Sequence, residues 1–335
     1  MASTRPCVLM NNLCDENPEW GIRPEYAEQF REYFDIIWSR DVEKNPELGK
    51  KVVAAIFNRG NDFGLLDKLD SVFPNIKIIT SISVGVERVD VIAYNKRGIK
   101  FCNSPGILDP VVAEFAIGLM LASARNIIKG YKYAHSQEVS DNYCYEQNWV
   151  GGVPVSEATV GIIGLGRIGY SIAQKAYRGF NMKILYYDKF RRSEDDEKAV
   201  SATYYTDLHQ MLKESDFVVT ICPVTPETTG ILGAAEFKVM KKSAIVINVG
   251  RGKLIKTDDL AKALQSGEIL GAALDVTDPE PLPRDHTLLT LPQVIVTPHI
   301  AGALLARRSQ MARLCAENIK ACLEGKPLLS EFKPI

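Results

Sequence analysis

Residues 159–188 read TVGIIGLGRIGYSIAQKAYRGFNMKILYYD. An apolar β-branched run meets Gly164, Gly166 and Gly169, a helical stretch opens near Arg167, and a second apolar run ends on Asp188. Glycine triplets also occur in ordinary turns, so the triplet counts only in context. Here it follows a strand, opens a helix, and has an acid roughly 20 residues beyond its last glycine, the arrangement of a dinucleotide-binding unit. Gly164 permits the tight turn, Gly166 lets backbone amides approach a pyrophosphate, and Gly169 lets the helix pack closely on the strand. The helix start then offers free N–H groups and partial positive charge to the phosphates. Asp188 would accept hydrogen bonds from the adenosine ribose and repel a 2′-phosphate, which favours NAD(H). Lys189, Arg191 and Arg192 follow it and could neutralise such a phosphate, so NADP(H) is the alternative, although they suit a solvated charged loop equally well.

Outward from this unit, short β-branched runs alternate with helical stretches, the signature of parallel α/β sheets. Strands are predicted at 7–10, 35–38, 52–57, 76–81 and 99–102, and later at 217–221, 244–248, 270–274 and 294–297. Helices are predicted at 24–33, 208–213, 234–240, 257–265 and from about 306 to 323, the last stopping before Gly325 and Pro327. Asp109 suits an N-cap and Pro110 the first helical position of a stretch that is apolar on nearly every side up to Ala124. Such a helix packs between layers or across a partner subunit. From His135 to Ser156 the periodicity dissolves into a polar, aromatic-rich segment, and a loop of that length is usually functional or interfacial.

Bulk properties exclude several classes. The 335 residues allow two domains, and 40 basic against 41 acidic residues leave a net charge of −1, so nothing in the whole chain argues for nucleic acid or an anionic membrane. The start, MASTRPCVLMNN, has no apolar run of signal-peptide length, and the chain has no apolar run of 18 residues. Cysteines 7, 14, 102, 144, 222, 315 and 322 are scattered and never spaced as CxxC, which suits reduced thiols in the cytoplasm and offers no metal site.

Three segments beyond the glycine turn each follow a strand: NVGRG with Arg251, LDVTDPEPLP with Glu280, and TPHIAG with His299. Ligands of open α/β sheets bind at the carboxyl ends of strands, so these three side chains could meet. Arginine can grip a carboxylate through two parallel N–H···O bonds and polarise the adjacent carbonyl. Histidine can give a proton to the carbonyl oxygen as hydride reaches carbon, and a paired glutamate favours its charged form. Prolines at 279, 281 and 283 make a stiff turn, and they also fix the backbone on both sides of Glu280.

With SISVGVERVD, NSPGILDPVVAE and CPVTPETTGIL, these motifs follow in an order and spacing that resembles the D-isomer-specific 2-hydroxyacid dehydrogenases, most nearly the glyoxylate/hydroxypyruvate reductases. The resemblance covers most of the chain. It implies two doubly wound parallel-sheet domains of Rossmann-like and flavodoxin-like type, a substrate domain from 1–102 plus 303–335 and an inserted NAD(P)-binding domain at 103–302. It also implies Arg251, Glu280 and His299 as the catalytic set, and Ser83, Val84 and Gly85 as the loop whose amides bind the substrate carboxylate. Along the cofactor it places Leu165, Arg167 and Ile168 with the three glycines and Asp188, then Pro223, Thr228, Val249, Asp275 and Gly302, with Asp275 on the nicotinamide carboxamide. A small 2-keto acid substrate and a homodimer follow from the same likeness.

Some positions depart from the family. Leu304 stands where threonine or serine is common, Glu87-Arg88 where an acid then His or Asn is frequent, and Asp109 where Thr or Asn is usual. The segment 139–149 carries Tyr143, Tyr145 and Trp149 in place of a glycine-tryptophan pattern, which bears on substrate choice. A phosphoglycerate-type dehydrogenase is the nearest competing reading, though Arg88 alone supplies little charge for a phosphate. A nucleotide-sensing corepressor-like scaffold is the competitor from another class, and the chain lacks long tails that would carry partner motifs.

Overall fold

The computed structural model describes residues 5–10, 23–58, 64–137 and 151–334. The chain divides into two compact units, Met1–Leu108 with Ala303–Ile335, and Asp109–Gly302. The first contains β1 (Cys7–Met10), α1 (Pro24–Arg31), β2 (Asp35–Trp38), α2 (Ser39–Lys44), β3 (Val52–Asn58), α3 (Leu65–Lys68), β4 (Ile78–Ile82), α4 (Val91–Lys96) and β5 (Lys100–Cys102). The second contains α5 (Asp109–Ala124), α6 (Ile127–Ala134), β6 (Thr159–Ile163), α7 (Arg167–Phe180), β7 (Lys183–Tyr187), α8 (Glu194–Ala199) and β8 (Ala202–Tyr205). It continues through α9 (Leu208–Glu214), β9 (Phe217–Thr220), α10 (Ala234–Val239), β10 (Ile245–Asn248), α11 (Thr257–Gln265), β11 (Gly271–Leu274) and β12 (Val294–Val296). Helix α12 (Leu305–Leu323) then rejoins the first unit.

Both sheets are wholly parallel, with strand order β2-β1-β3-β4-β5 in the first unit and β12-β11-β10-β9-β6-β7-β8 in the second. Parallel strands are covered on both faces by their crossover helices, so they read as unbroken apolar runs. FVVT in β9 and IVIN in β10 are buried at every position. In the first unit one face is filled by Tyr26, Ala27 and Phe30 of α1 together with Met311, Cys315 and Ile319 of α12. The opposite face is filled by Leu65, Leu69, Phe73, Val91 and Tyr94. In the second, α5 packs against α7 and against β10 and β11, burying Val112, Ala116, Leu119 and Met120.

Several sequence expectations need correction. The division expected near residue 103 falls between Leu108 and Asp109, because Ile107 and Leu108 pack on the first unit's core. Asn103 and Ser104 also bond back to that unit, through the carbonyls of Val84 and Ser81. Edge strand β8 and the short helices α2, α3, α4, α6 and α8 have no counterpart in the periodicity reading. Leu304 occupies the N-cap of α12 without a side-chain cap, as a leucine must. Among the described residues no single helix is long and apolar enough to cross a membrane. The aromatic segment at 139–149, Cys14 and Cys144 lie outside the described residues.

Ile319 is fully buried where α12 covers the first sheet. Ile319→Ala is expected to cost about 2–5 kcal/mol through lost burial and the cavity left behind. Urea unfolding followed by circular dichroism checks this, and a loss under 1 kcal/mol would mean that α12 closes over the gap.

Candidate active site

The glycine turn joins β6 to α7 at the point where the strand order of the second sheet reverses, between β6 and β9. Gly164 has φ +100°, and a Cβ built on it would lie 2.7 Å from the backbone nitrogen of Cys222. A Cβ on Gly169 would lie 2.1 Å from the Gly164 carbonyl oxygen. Both glycines are therefore demanded by packing inside the protein. Gly166 differs, since a Cβ there would meet nothing within 4 Å. It is the N-cap of the 14-residue helix α7 and offers no side-chain cap, so the first-turn amides have an open approach. That cradle fits a dinucleotide pyrophosphate.

At the end of β7 the Asp188 carboxylate accepts from the amides of Leu165 (2.6 Å) and Phe190 (3.1 Å). The acid is thus tied to the middle of the glycine turn, where the ribose of a bound dinucleotide would reach it. The Arg167 side chain turns to the start of α5, where its Nε donates to Asp109 Oδ2 at 3.1 Å. Pro223 and Thr228 close one loop after β9, with the Thr228 hydroxyl donating to the Pro223 carbonyl at 2.6 Å. Val249 is buried directly after β10, and Gly302 is the last residue of the unit.

The catalytic candidates stand beyond the ends of three neighbouring strands, β10, β11 and β12. Their register sets Asn248 beside Leu274 and Leu274 beside Val296. After β10, the buried Asn248 staples the turn that carries Arg251: its Nδ2 donates to the Arg251 carbonyl (2.9 Å), and its Oδ1 accepts from Gly250 N (3.0 Å). Arg251 Nη1 donates to the Gly250 carbonyl at 2.8 Å. The next residue must be glycine, because a Cβ at position 252 would sit 1.9 Å from the Thr277 carbonyl oxygen. The arginine turn therefore presses directly on the loop that carries Glu280. Thr257 Oγ1 donates to the Asp278 carbonyl and Thr277 Oγ1 to the Pro279 carbonyl, which secures that loop further.

His299 has left-handed backbone, φ +55°, an uncommon state for a residue with a side chain. Asp275 holds it there. The Asp275 carbonyl accepts from His299 N (2.9 Å), while the 1% exposed carboxylate accepts from Thr297 Oγ1 (2.6 Å), Ile300 N (2.9 Å) and Ala301 N (2.8 Å). In this geometry His299 Nδ1 lies 2.7 Å from Glu280 Oε1. A carboxylate can only accept, so the ring carries its Nδ1 proton toward Glu280 and leaves Nε2 for other chemistry.

The structure thus brings together His299 with Glu280, and Asp188 with the glycine turn. Ser83, Val84 and Gly85 belong to the other unit, after β4, where Ser83 Oγ bonds Ser81 Oγ (2.7 Å) and donates to the Gly85 carbonyl (2.9 Å). Sequence reasoning missed the support of the histidine turn by Asp275 and the roles of Asn248 and Gly252. The available signal was an acid or amide at the end of an otherwise wholly apolar strand. Among the described residues no cluster of His, Cys, Asp and Glu could hold a metal ion.

Comparison with known proteins agrees with this geometry. The NAD binding domain of the D-isomer specific 2-hydroxyacid dehydrogenases matches residues 117–301. A glyoxylate reductase of Pyrococcus horikoshii is 41% identical over 254 residues, covering 76% of this chain and 75% of that protein. A glyoxylate reductase of Thermococcus kodakarensis is 37% identical over 331 residues, covering 96% and 94%. Among solved structures, an NADPH-dependent glyoxylate/hydroxypyruvate reductase from Sinorhizobium meliloti in complex with citrate superposes with a TM-score of 0.84 at 28% identity, covering 98% of this chain and 97% of that one. The chain belongs to the D-isomer specific 2-hydroxyacid dehydrogenases. It is an oxidoreductase that binds a nicotinamide dinucleotide.

Asp275→Asn sets an amide N–H against backbone amides that need an acceptor. The expected result is a loss of about 1–3 kcal/mol in unfolding free energy and a fall in kcat of roughly tenfold or more as His299 leaves its position. Denaturant titration and steady-state kinetics on the same preparation check both.

Proposed function

We propose that this chain reduces glyoxylate and hydroxypyruvate to glycolate and D-glycerate, with NADH as hydride source and His299 as general acid. The observation that carries the reading is the Glu280–His299 pair at 2.7 Å, which lies one strand over from the Arg251 turn and in the same unit as the glycine cradle. The names of the relatives supply the substrate class, glyoxylate and hydroxypyruvate. The nicotinamide, when bound, supplies a hydride to the carbonyl carbon and is oxidised in doing so. His299 Nε2 gives its proton to the carbonyl oxygen, so C=O becomes CH–OH, and in the oxidative direction it takes the proton back. Glu280 accepts from Nδ1 throughout, stabilising the charged ring and fixing its orientation. Arg251 grips the substrate carboxylate and draws electron density from the carbonyl. The Ser83-Val84-Gly85 turn of the other unit is assigned as a carboxylate-binding loop through its backbone amides.

Asp275 uses three of about four acceptor sites on its own chain, and the remaining one on Oδ2 is assigned to the nicotinamide amide. Leu165, Ile168, Pro223, Thr228, Val249 and Gly302 line the dinucleotide in this reading. Asp188 favours NADH, since a 2′-phosphate would meet its carboxylate. The free thiols Cys7, Cys102, Cys222, Cys315 and Cys322 suit a reducing compartment such as the cytoplasm. Helix α6 exposes Ile127, Ile128 and Tyr131 on its surface, and this apolar face is assigned to contact with a second copy. Light scattering should accordingly give the mass of a dimer, and Ile127→Lys with Tyr131→Lys should shift it toward a monomer.

Steady-state rates on a panel of 2-keto acids with NADH and NADPH test the reading, and failure to oxidise either nucleotide with glyoxylate or hydroxypyruvate would overturn it. His299→Ala should lower kcat by roughly two or more orders of magnitude. Arg251→Ala should act mainly on KM; unchanged turnover in the histidine variant would remove it from the acid role.

A further inference from the structure

Three cations, Lys189, Arg191 and Arg192, follow Asp188, next to the place where NADP(H) would carry its extra phosphate. On sequence they compete with the aspartate for control of coenzyme choice. The geometry of the two arginines decides against that role for them.

Arg191 is held by Glu197 in a two-pronged contact, with Nε to Oε1 and Nη2 to Oε2, both at 2.9 Å. Glu197 is only 8% exposed, and its Oε1 also accepts from the hydroxyl of the fully buried Tyr186 at 2.5 Å. The acid therefore cannot follow Arg191 to a ligand, and a departing Arg191 would leave a buried carboxylate without its counter-charge. Its carboxyl is held below the usual range, first by the Arg191 bonds. The Tyr186 hydroxyl in turn accepts from Arg192 N at 3.0 Å, so both arginines hang from one buried ring.

Arg192 is fixed at three points. Its Nε donates to Asp196 Oδ2 (3.0 Å), its Nη1 to the Leu165 carbonyl (3.2 Å), and its guanidinium carbon lies 4.4 Å from the centre of the Tyr170 ring. Leu165 is the middle residue of the glycine turn, so Arg192 braces the turn from behind. Lys189 lies over the Phe190 ring at 5.8 Å, and it also helps keep the Glu227 carboxyl low, after the larger effect of the Thr225 hydroxyl. Each of the two arginines after Asp188 is therefore paired with an acid of its own.

We propose that Glu197 and Asp196 are specificity-determining residues: by holding Arg191 and Arg192 they withhold the charge that a 2′-phosphate needs, and so make this chain select NADH. The inference rests on the NADH reading above and assigns discrimination to charge sequestration as well as to repulsion by Asp188. A chain with the same basic residues but without the two acids would accept NADPH.

The test is calorimetric titration of the full-length protein with NAD+ and NADP+, which needs no turnover. Glu197→Gln keeps an acceptor for Tyr186 and removes the charge; Asp196→Asn, at a 36% exposed side chain, provides a second variant should the first fail to fold. Each is expected to tighten NADP+ binding by about tenfold, the effect of one new ion pair of about 1.4 kcal/mol, while NAD+ affinity changes less than about threefold. Adding Arg191→Ala to Glu197→Gln, or Arg192→Ala to Asp196→Asn, should cancel the gain. The proposal is overturned if neither acid variant gains, if the gain survives loss of the arginine, or if Arg191→Ala or Arg192→Ala weakens NADP+ binding more than NAD+ binding in the parent protein. Binding of NAD+ without reduction of any keto acid would sink the proposed function and leave this inference standing, whereas failure to bind either nucleotide would remove both.

Discussion

A carboxylate taken out of water has to find donors, and Asp275 finds three in the segment that carries His299. The exchange is mutual: the amides of Ile300 and Ala301 would otherwise end in a tight turn without an acceptor. Because the turn closes on Asp275, His299 is kept in a left-handed backbone that its side chain disfavours, and the imidazole meets Glu280 rather than solvent alone. The anchoring acid is itself fixed, since its amide donates to the Asn248 carbonyl and so joins it to the next strand. Removing that one carboxylate would loosen the turn from its base.

The three strand ends work as a set because they are adjacent in a parallel sheet. Asn248 shapes the first turn, Asp275 secures the third, and Gly252 lets the first press on the second. None of the three is the group that would touch substrate. They hold Arg251, Glu280 and His299 on short loops with little freedom, which is what proton transfer and carboxylate recognition require of their donors. The glycine turn at the switch between β6 and β9 belongs to the same sheet, so the glycine cradle and the Glu280–His299 pair share one frame.

Much of this was legible beforehand, for particular physical reasons. Strands β6, β9 and β10 are buried on both faces and show as unbroken apolar runs, and Gly164 and Gly169 are required by backbone contacts that no other residue permits. Strand β8 escaped notice because an edge strand of four residues, ATYY, gains its order from pairing with β7 and not from its own pattern. Helix α8 reads as a solvated acidic run, EDDEKA, and the inward turn of Glu197 toward Tyr186 depends on a partner eleven positions earlier. Asp275 was visible as a strand-end acid, but a linear pattern cannot tell which way a carboxylate faces. Contacts of that kind are tertiary, and composition does not record them.

The return of α12 to the first unit has a consequence for how the chain is made. During synthesis β1 to β5 leave the ribosome before Asp109–Gly302, and the layer formed by Met311, Ala312, Cys315, Ala316 and Ile319 comes after it. Until then one side of the first sheet, with Val8, Ala54, Ile56 and Ile78, has α1 but lacks its second cover. The inserted unit can complete its own core in the meantime, since the seven strands of its described residues follow one another in the chain. The half that starts first therefore finishes last, and the nascent chain carries an uncovered apolar face for most of its translation, the state in which chaperones find their clients.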